Sequence, residues 1–226
     1  MQYEIHGTVM QILETHLIIG ESIYTESGGM AWMQGDIEMK TNTRGGLMAG
    51  LGRAMAGESL FMTSYHCNSG QGMIAFTTEV PGTILDFQLN PGQSLICQRD
   101  AFMCAEESVN LELHFRKKLG AGLFGGEGFI LQKITGPGKA FLEIPGEMKE
   151  YHLKPQDTLL VDPGHIALFE PTVNFEIETV KGLKNMLFSG EGLFLAKLTG
   201  PGKVWLQSMP IANLAAKLAK YLPSKS

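Results

Sequence analysis

The chain has 226 residues, 44% of them apolar and 18% charged, with a formal net charge of −5. That balance allows a packed core, argues against disorder, and lacks the basic footprint that a general nucleic-acid or anionic-membrane surface needs. Three cysteines without a CxxC pair fit a reducing compartment better than a disulfide framework.

Met1-Gln2-Tyr3-Glu4-Ile5 opens the chain without a basic region and a long apolar run, so no secretory signal is read. No stretch reaches about 18 uninterrupted apolar residues. The expected location is cytoplasmic.

Residues 1–80 read as the diverged first copy of a β unit. His6-Gly7-Thr8 stands where Pro81-Gly82-Thr83 stands later, and Gly57-Glu58-Ser59-Leu60-Phe61 matches Gly190-Glu191-Gly192-Leu193-Phe194. The turn-rich Cys67 to Gly72 takes the place of a later Gly-Pro-Gly turn.

Residues 81–144 and 145–208 are second and third copies in gapless register at an offset of 64. Val109-Asn110-Leu111-Glu112-Leu113 and Val173-Asn174-Phe175-Glu176-Ile177 alternate with period two, the pattern of half-buried strands. Gly126 to Glu143 and Gly190 to Gln207 are identical at eleven of eighteen positions. Each reads as a β-hairpin around Gly-Pro-Gly-Lys, with Pro presetting φ and the next Gly supplying the positive φ of a type II turn.

The segment 209–226 reads as a short helix and tail. Ile211, Leu214, Leu218 and Leu222 share its face, and core docking or subunit packing is the expected role. The fold class is all-β: three tandem sandwich-like or double-stranded β-helix-like units plus this helix.

A Gly/Leu segment with basic flanks precedes each Gly-Glu. These segments carry Leu47, Met48, Leu51 and Met55, then Leu123 and Phe124, then Leu187 and Phe188. A loop tucked onto the core edge competes with an apolar loop that contacts another subunit, a membrane or a partner.

Conventional chemistry is sparse. Gly120 to Gly125 satisfies GxGxxG, but it leads into Gly-Glu-Gly rather than a helix, so a nucleotide site is rejected. His6, His16, His66, His114, His152 and His165 form no HxH or HxxxH pair, and neither metal nor cofactor is expected. Adjacent His66 and Cys67 point to opposite faces of a strand and make a poor nucleophile–base couple. Glu58, Glu127 and Glu191 read as carboxylates bonding loop amides. Lys139 and Lys203 read as exposed turn lysines, and Trp32 and Trp205 as packing residues.

The Gly-Gly-Leu…Gly-Glu-Ser-Leu-Phe segment at 46–61, the paired Thr-Gly-Pro-Gly-Lys turns and the Leu-Ala-Lys-Tyr-Leu-Pro tail together resemble one family. It comprises the bacterial and archaeal relatives of the altered-inheritance-of-mitochondria protein, the mitochondrial biogenesis family. The resemblance spans essentially the whole chain. It implies three TRAP-like units, similar to the subunit of the tryptophan RNA-binding attenuation protein, assembled as a homotrimeric ring, and it implies no catalytic residues. The functional expectation is a non-catalytic oligomeric scaffold or binding protein engaging a protein or membrane through its Gly/Leu loops, with no nucleic-acid partner. Two alternatives stay open: a small-ligand or RNA-binding ring, and a β-helix-type enzyme.

Overall fold

The computed structural model describes residues 1–26, 28–42, 62–117, 128–179, 194–219 and 221–222. Among them, three antiparallel sheets and one short C-terminal helix make up the fold. The first third supplies β1 (Gln2–His6), β2 (Ile12–Ile18), β3 (Ser22–Glu26), β4 (Met30–Asn42) and β5 (Met62–Thr77). The second supplies β6 (Gly82–Leu89), β7 (Ser94–Gln98), β8 (Phe102–Glu106), β9 (Asn110–Lys117), β10 (Phe129–Thr135) and β11 (Gly138–Pro145). The last supplies β12 (Met148–Leu153), β13 (Thr158–Val161), β14 (Ile166–Phe169), β15 (Asn174–Thr179), β16 (Phe194–Thr199), β17 (Gly202–Gln207) and the helix α1 (Ile211–Ala219).

The 64-residue offset reappears in the backbone. β7 and β13 begin at Ser94 and Thr158, β9 and β15 at Asn110 and Asn174, and β11 and β17 at Gly138 and Gly202. The single 3₁₀ turns Arg99–Ala101 and Pro163–His165 keep the same spacing.

The expected hairpins do not form. β10 pairs with β7 and β9, while β11 pairs with β6 and β8 in a different sheet. Likewise β16 pairs with β13 and β15, and β17 with β12 and β14. Gly-Pro-Gly is therefore a corner that carries the chain from one sheet to another. The Gly136-Pro137 and Gly200-Pro201 bonds are cis, which replaces the type II turn. Glycine is needed here for space: a Cβ on Gly136 would lie 2.6 Å from the Asn90 carbonyl oxygen, and one on Gly200 2.3 Å from that of Lys154.

The first copy turns the same corner without breaking its strand. Cys67 to Gly72 lie inside β5 rather than in a turn. One edge of β5 takes β3 along Met62–His66 and β2 along Gln71–Thr77, while β4 runs the length of the other edge. Glycine is needed opposite the crossing at Gly35 of β4, whose φ is +92° and where a Cβ would lie 2.6 Å from the Gln71 carbonyl oxygen.

Two joints link the thirds of the chain. β3 pairs with β8 through Ile23↔Glu106 and Tyr24↔Ala105, and β7 pairs with β14 through Cys97↔Leu168 and Ile96↔Phe169. Each joint makes one sheet serve two successive cores. The faces of β7 and β10 divide between them: Leu95, Cys97 and Ile134 enter one cluster with Leu142 and Ala105, while Ile96, Phe129 and Leu131 enter the next with Phe169 and Val204. Full burial of side chains this large stabilises by about 1.5–3 kcal/mol each, so the joints are core rather than trim.

The eight-stranded sheet curls into a nearly closed barrel. The gap is narrowed by a Met10↔Gly82 bridge, the Gly82 N–H donating to the Val9 carbonyl at 2.7 Å, and the Ile84 N–H donating to Gln11 Oε1 at 2.6 Å. α1 contributes no fully buried residue, and Leu218 is 55% exposed. The shared apolar face was legible, yet it does not dock onto the core along its length.

Candidate functional site

The repeat carries a structural pair that the sequence reading missed. Glu106 accepts the Lys139 N–H at 2.8 Å, and Glu170 accepts the Lys203 N–H at 2.9 Å. Each carboxylate anchors the strand leaving a cis-proline corner, and the identical Glu at an offset of 64 was the available signal.

The two turn lysines have different surroundings. Lys139 Nζ lies 3.2 Å from Asp86 Oδ2 and 3.2 Å from the Tyr3 hydroxyl, 4.4 Å above the Tyr3 ring, and Tyr3 donates to Asp86 at 2.6 Å. Burial alone would lower the Lys139 ammonium, but Tyr3 and Asp86 outweigh it and hold its pKa above the usual lysine range. The reading of Lys139 as an exposed turn lysine is therefore corrected: it fastens β1 across the barrel gap to β6 and β11. Its counterpart Lys203 pairs with Glu150 at 3.1 Å on the surface of β12.

Two concavities flank the 3₁₀ turn Arg99–Ala101. On one side a cleft of about 550 Å³ runs between β3, β8 and the end of β11. Glu143 reaches into it and accepts the Glu79 N–H at 3.1 Å. Burial, with the charges of Glu79 and Asp100 adding to it against the Glu79 N–H bond, pushes the Glu143 carboxyl up to about 7. On the other side a cavity of about 210 Å³ lies between this turn, β10 and the first turn of α1. Its wall includes Gln98 and Gln207, joined by a bond from Gln207 Nε2 to Gln98 Oε1 at 2.9 Å, and Gln207 Nε2 also donates to the Gly164 carbonyl at 2.8 Å. Glu143 and Gln207 occupy the same repeat position, 64 residues apart.

The proposed contact residues Leu47, Met48, Leu51, Met55, Leu123, Phe124, Leu187 and Phe188 all lie outside the described residues, as do Glu58, Glu127, Glu191 and the GxGxxG segment. Trp205 packs edge-to-face on Phe87 with ring centroids 5.9 Å apart, whereas Trp32 stands 42% exposed on β4. Cys67, Cys97 and Cys104 are buried and form no disulfide, and burial pushes the Cys104 pKa well up. Among the described residues no cluster of His, Cys, Asp and Glu could hold a metal, and no helix is long and apolar enough to cross a membrane.

The chain is similar to "Uncharacterized protein M6_Spy0233" of Streptococcus pyogenes serotype M6, at 27% identity over 223 residues, covering 95% of this chain and 88% of that protein. It is also similar to the crystal structure of protein SPYM3_0169 from Streptococcus pyogenes, with a TM-score of 0.79 and 25% identity over 98% of this chain and 99% of the other. The family described as mitochondrial biogenesis AIM24 matches residues 3–209. The chain belongs to the AIM24 family.

Proposed function

We propose that the protein is a non-catalytic scaffold whose copies join head to tail through open sheet edges, as TRAP-like units in a ring. The assembled ring presents the Gly/Leu loops many times over to a protein or membrane partner. The observation that carries the assembly is a joint made twice within the chain and, among the described residues, left unmade at both ends. β13 is the counterpart of β7 and ends its sheet, while the first half of β4 is the counterpart of β8 and β14.

The register supports the same match. β4 skips a residue between Met30 and Trp32 against β5, β8 skips one between Phe102 and Cys104 against β11, and β14 skips one between Ile166 and Leu168 against β17. Met33 therefore corresponds to Ala105 and Phe169, the residues that face β3 and β7 at the internal joints. Those joints bury Ala105 and Phe169, whereas Met33 is 42% and Leu160 55% exposed. An unpaired apolar edge is a template for another strand. Transferring the β7–β14 register pairs Leu160 of one copy with Met33 of the next.

A Leu160→Cys/Met33→Cys chain, oxidised gently, is expected to give intermolecular disulfide-linked species on a non-reducing gel, and each single variant a much smaller amount. Sedimentation of the unmodified protein is expected to give a discrete homo-oligomer, a trimer on the family resemblance. Monomer at micromolar concentration, with no cross-link, rejects the assembly.

The loop role is tested separately. Leu47→Asp/Leu51→Asp is expected to weaken capture of liposomes or of a partner protein by about tenfold or more, with the assembly intact. Unchanged capture removes the loops from the reading.

A further inference from the structure

We infer that the cleft between β7, β9 and β15 is a binding site for a small phenol, held among phenylalanine rings by one hydrogen bond to the Val173 carbonyl. The cleft has a volume of about 420 Å³ and is formed within one chain, so the inference stands apart from the scaffold reading. A cavity of about 150 Å³ already holds benzene, so a single ring has room.

The joint between β3 and β8 shows what this position accommodates elsewhere in the repeat. There Tyr24 faces Ala105, and the Tyr24 hydroxyl donates to the Val109 carbonyl at 3.1 Å. Phe102 supports the ring, with centroids 5.6 Å apart. Tyr24, Ala105 and Val109 are all fully buried.

The joint between β7 and β14 keeps the frame and loses the hydroxyl. Phe169 and Val173 answer Ala105 and Val109 at the offset of 64, and Phe169 faces Ile96 where Ala105 faces Tyr24. The Val109 N–H donates to the Glu106 carbonyl at 2.9 Å and the Val173 N–H to the Glu170 carbonyl at 3.0 Å, so both valines close the same turn. Replacing Tyr and Ala by Ile and Phe returns a ring to the pair but no donor. Among the described residues nothing donates to the Val173 carbonyl.

Ile96, Phe169 and Val173, the three counterparts, all stand in the wall of the cleft. Phe115 and Phe175 extend that wall: Phe175 stacks on Phe169 with centroids 5.7 Å apart and meets Phe115 edge-on at 5.2 Å. Such rings favour an aromatic guest through offset and edge-to-face contacts. The carbonyl selects a guest that carries a hydroxyl donor, and it disfavours an anion, because it can only accept.

Amide chemical-shift mapping on the full chain tests the site, with phenol as probe and toluene as the same shape without the donor. Phenol is expected to give saturable shifts in the low-millimolar range at the amides of Val173, Asn174 and Phe175, with toluene at least fivefold weaker. An Ile96→Tyr/Phe169→Ala chain, which copies the pair of the first joint, is expected to fold and to bind phenol at least tenfold more weakly at these amides. Absence of saturable shifts there in the unmodified chain overturns the inference, as does toluene binding as tight as phenol. A folded double variant that binds phenol undiminished overturns it too. The toluene comparison uses the unmodified chain alone, so it remains decisive if the double variant misfolds.

Discussion

Gly200→Ala is expected to destabilise the protein by about 3 kcal/mol or more, placing it among the most damaging single-methyl additions available to this fold. The new Cβ would sit 2.3 Å from the Lys154 carbonyl oxygen and 2.8 Å from that of Leu153. Both obstacles are backbone, so no rotamer change relieves them. Gly136→Ala is expected to be nearly as harmful, with Asn90 and Leu89 carbonyls at 2.6 and 2.7 Å. Gly92→Ala is the control: its φ of +78° disfavours a side chain, but nothing lies within 4 Å, and the expected cost is about 1 kcal/mol. Urea denaturation of the three variants checks the ordering. Equal losses at Gly92 and Gly200 would mean that conformational preference, rather than close approach at the corner, explains the glycine.

That corner also shows what the sequence could and could not reveal. The duplication was legible because its 64-residue spacing needs no structural knowledge, and four of the six paired strand starts, the two cis-proline corners and the 3₁₀ turns Arg99–Ala101 and Pro163–His165 keep it. β15 was legible too: it alternates between exposed and half-buried residues as period two requires. The hairpin reading failed at β10 and β11. Local turn chemistry identifies a reversal but does not say whether the departing strand pairs with the arriving one or joins another sheet. A warning was present in Phe129-Ile130-Leu131-Gln132, four successive residues that are all buried. A hairpin with one wet face would alternate, whereas a strand shared between two cores reads as a continuous run.

The candidate site was less legible for a related reason. Gln98 and Gln207 are 109 residues apart, and Glu143 meets the Glu79 amide across 64. Neither pair has a spacing signature, and glutamine has no characteristic motif. The position could have been flagged by the Glu143-to-Gln207 exchange within an otherwise well-matched repeat. In the same way, the correspondence of β4 and β13 with the strands of the internal joints becomes visible only after the bulges have fixed which residues match.

Glu143→Gln is expected to remove a pH dependence that the wild-type chain carries between about pH 4.5 and about pH 7. The folded state raises the carboxyl from 4.5 to about 7, so in that window the folded chain holds a proton that the unfolded chain releases. Stability therefore falls as pH rises: the full contribution is present below the unfolded pKa and is lost once pH exceeds the folded one. The shift corresponds to an upper limit of about 3 kcal/mol, discounted by the group's partial exposure. Glutamine keeps an oxygen for the Glu79 N–H but cannot ionise beside Glu79 and Asp100, and the other copy already carries glutamine at this position. Urea unfolding of both proteins is expected to give nearly equal stability at pH 4 and a more stable variant at pH 8, by about 2 kcal/mol. The remaining ionisable groups are common to both proteins and cancel in the difference. A difference that stays constant from pH 4 to pH 8 would show that Glu143 does not titrate in this window, and the cleft would then be a wetter and less strained environment than its geometry implies.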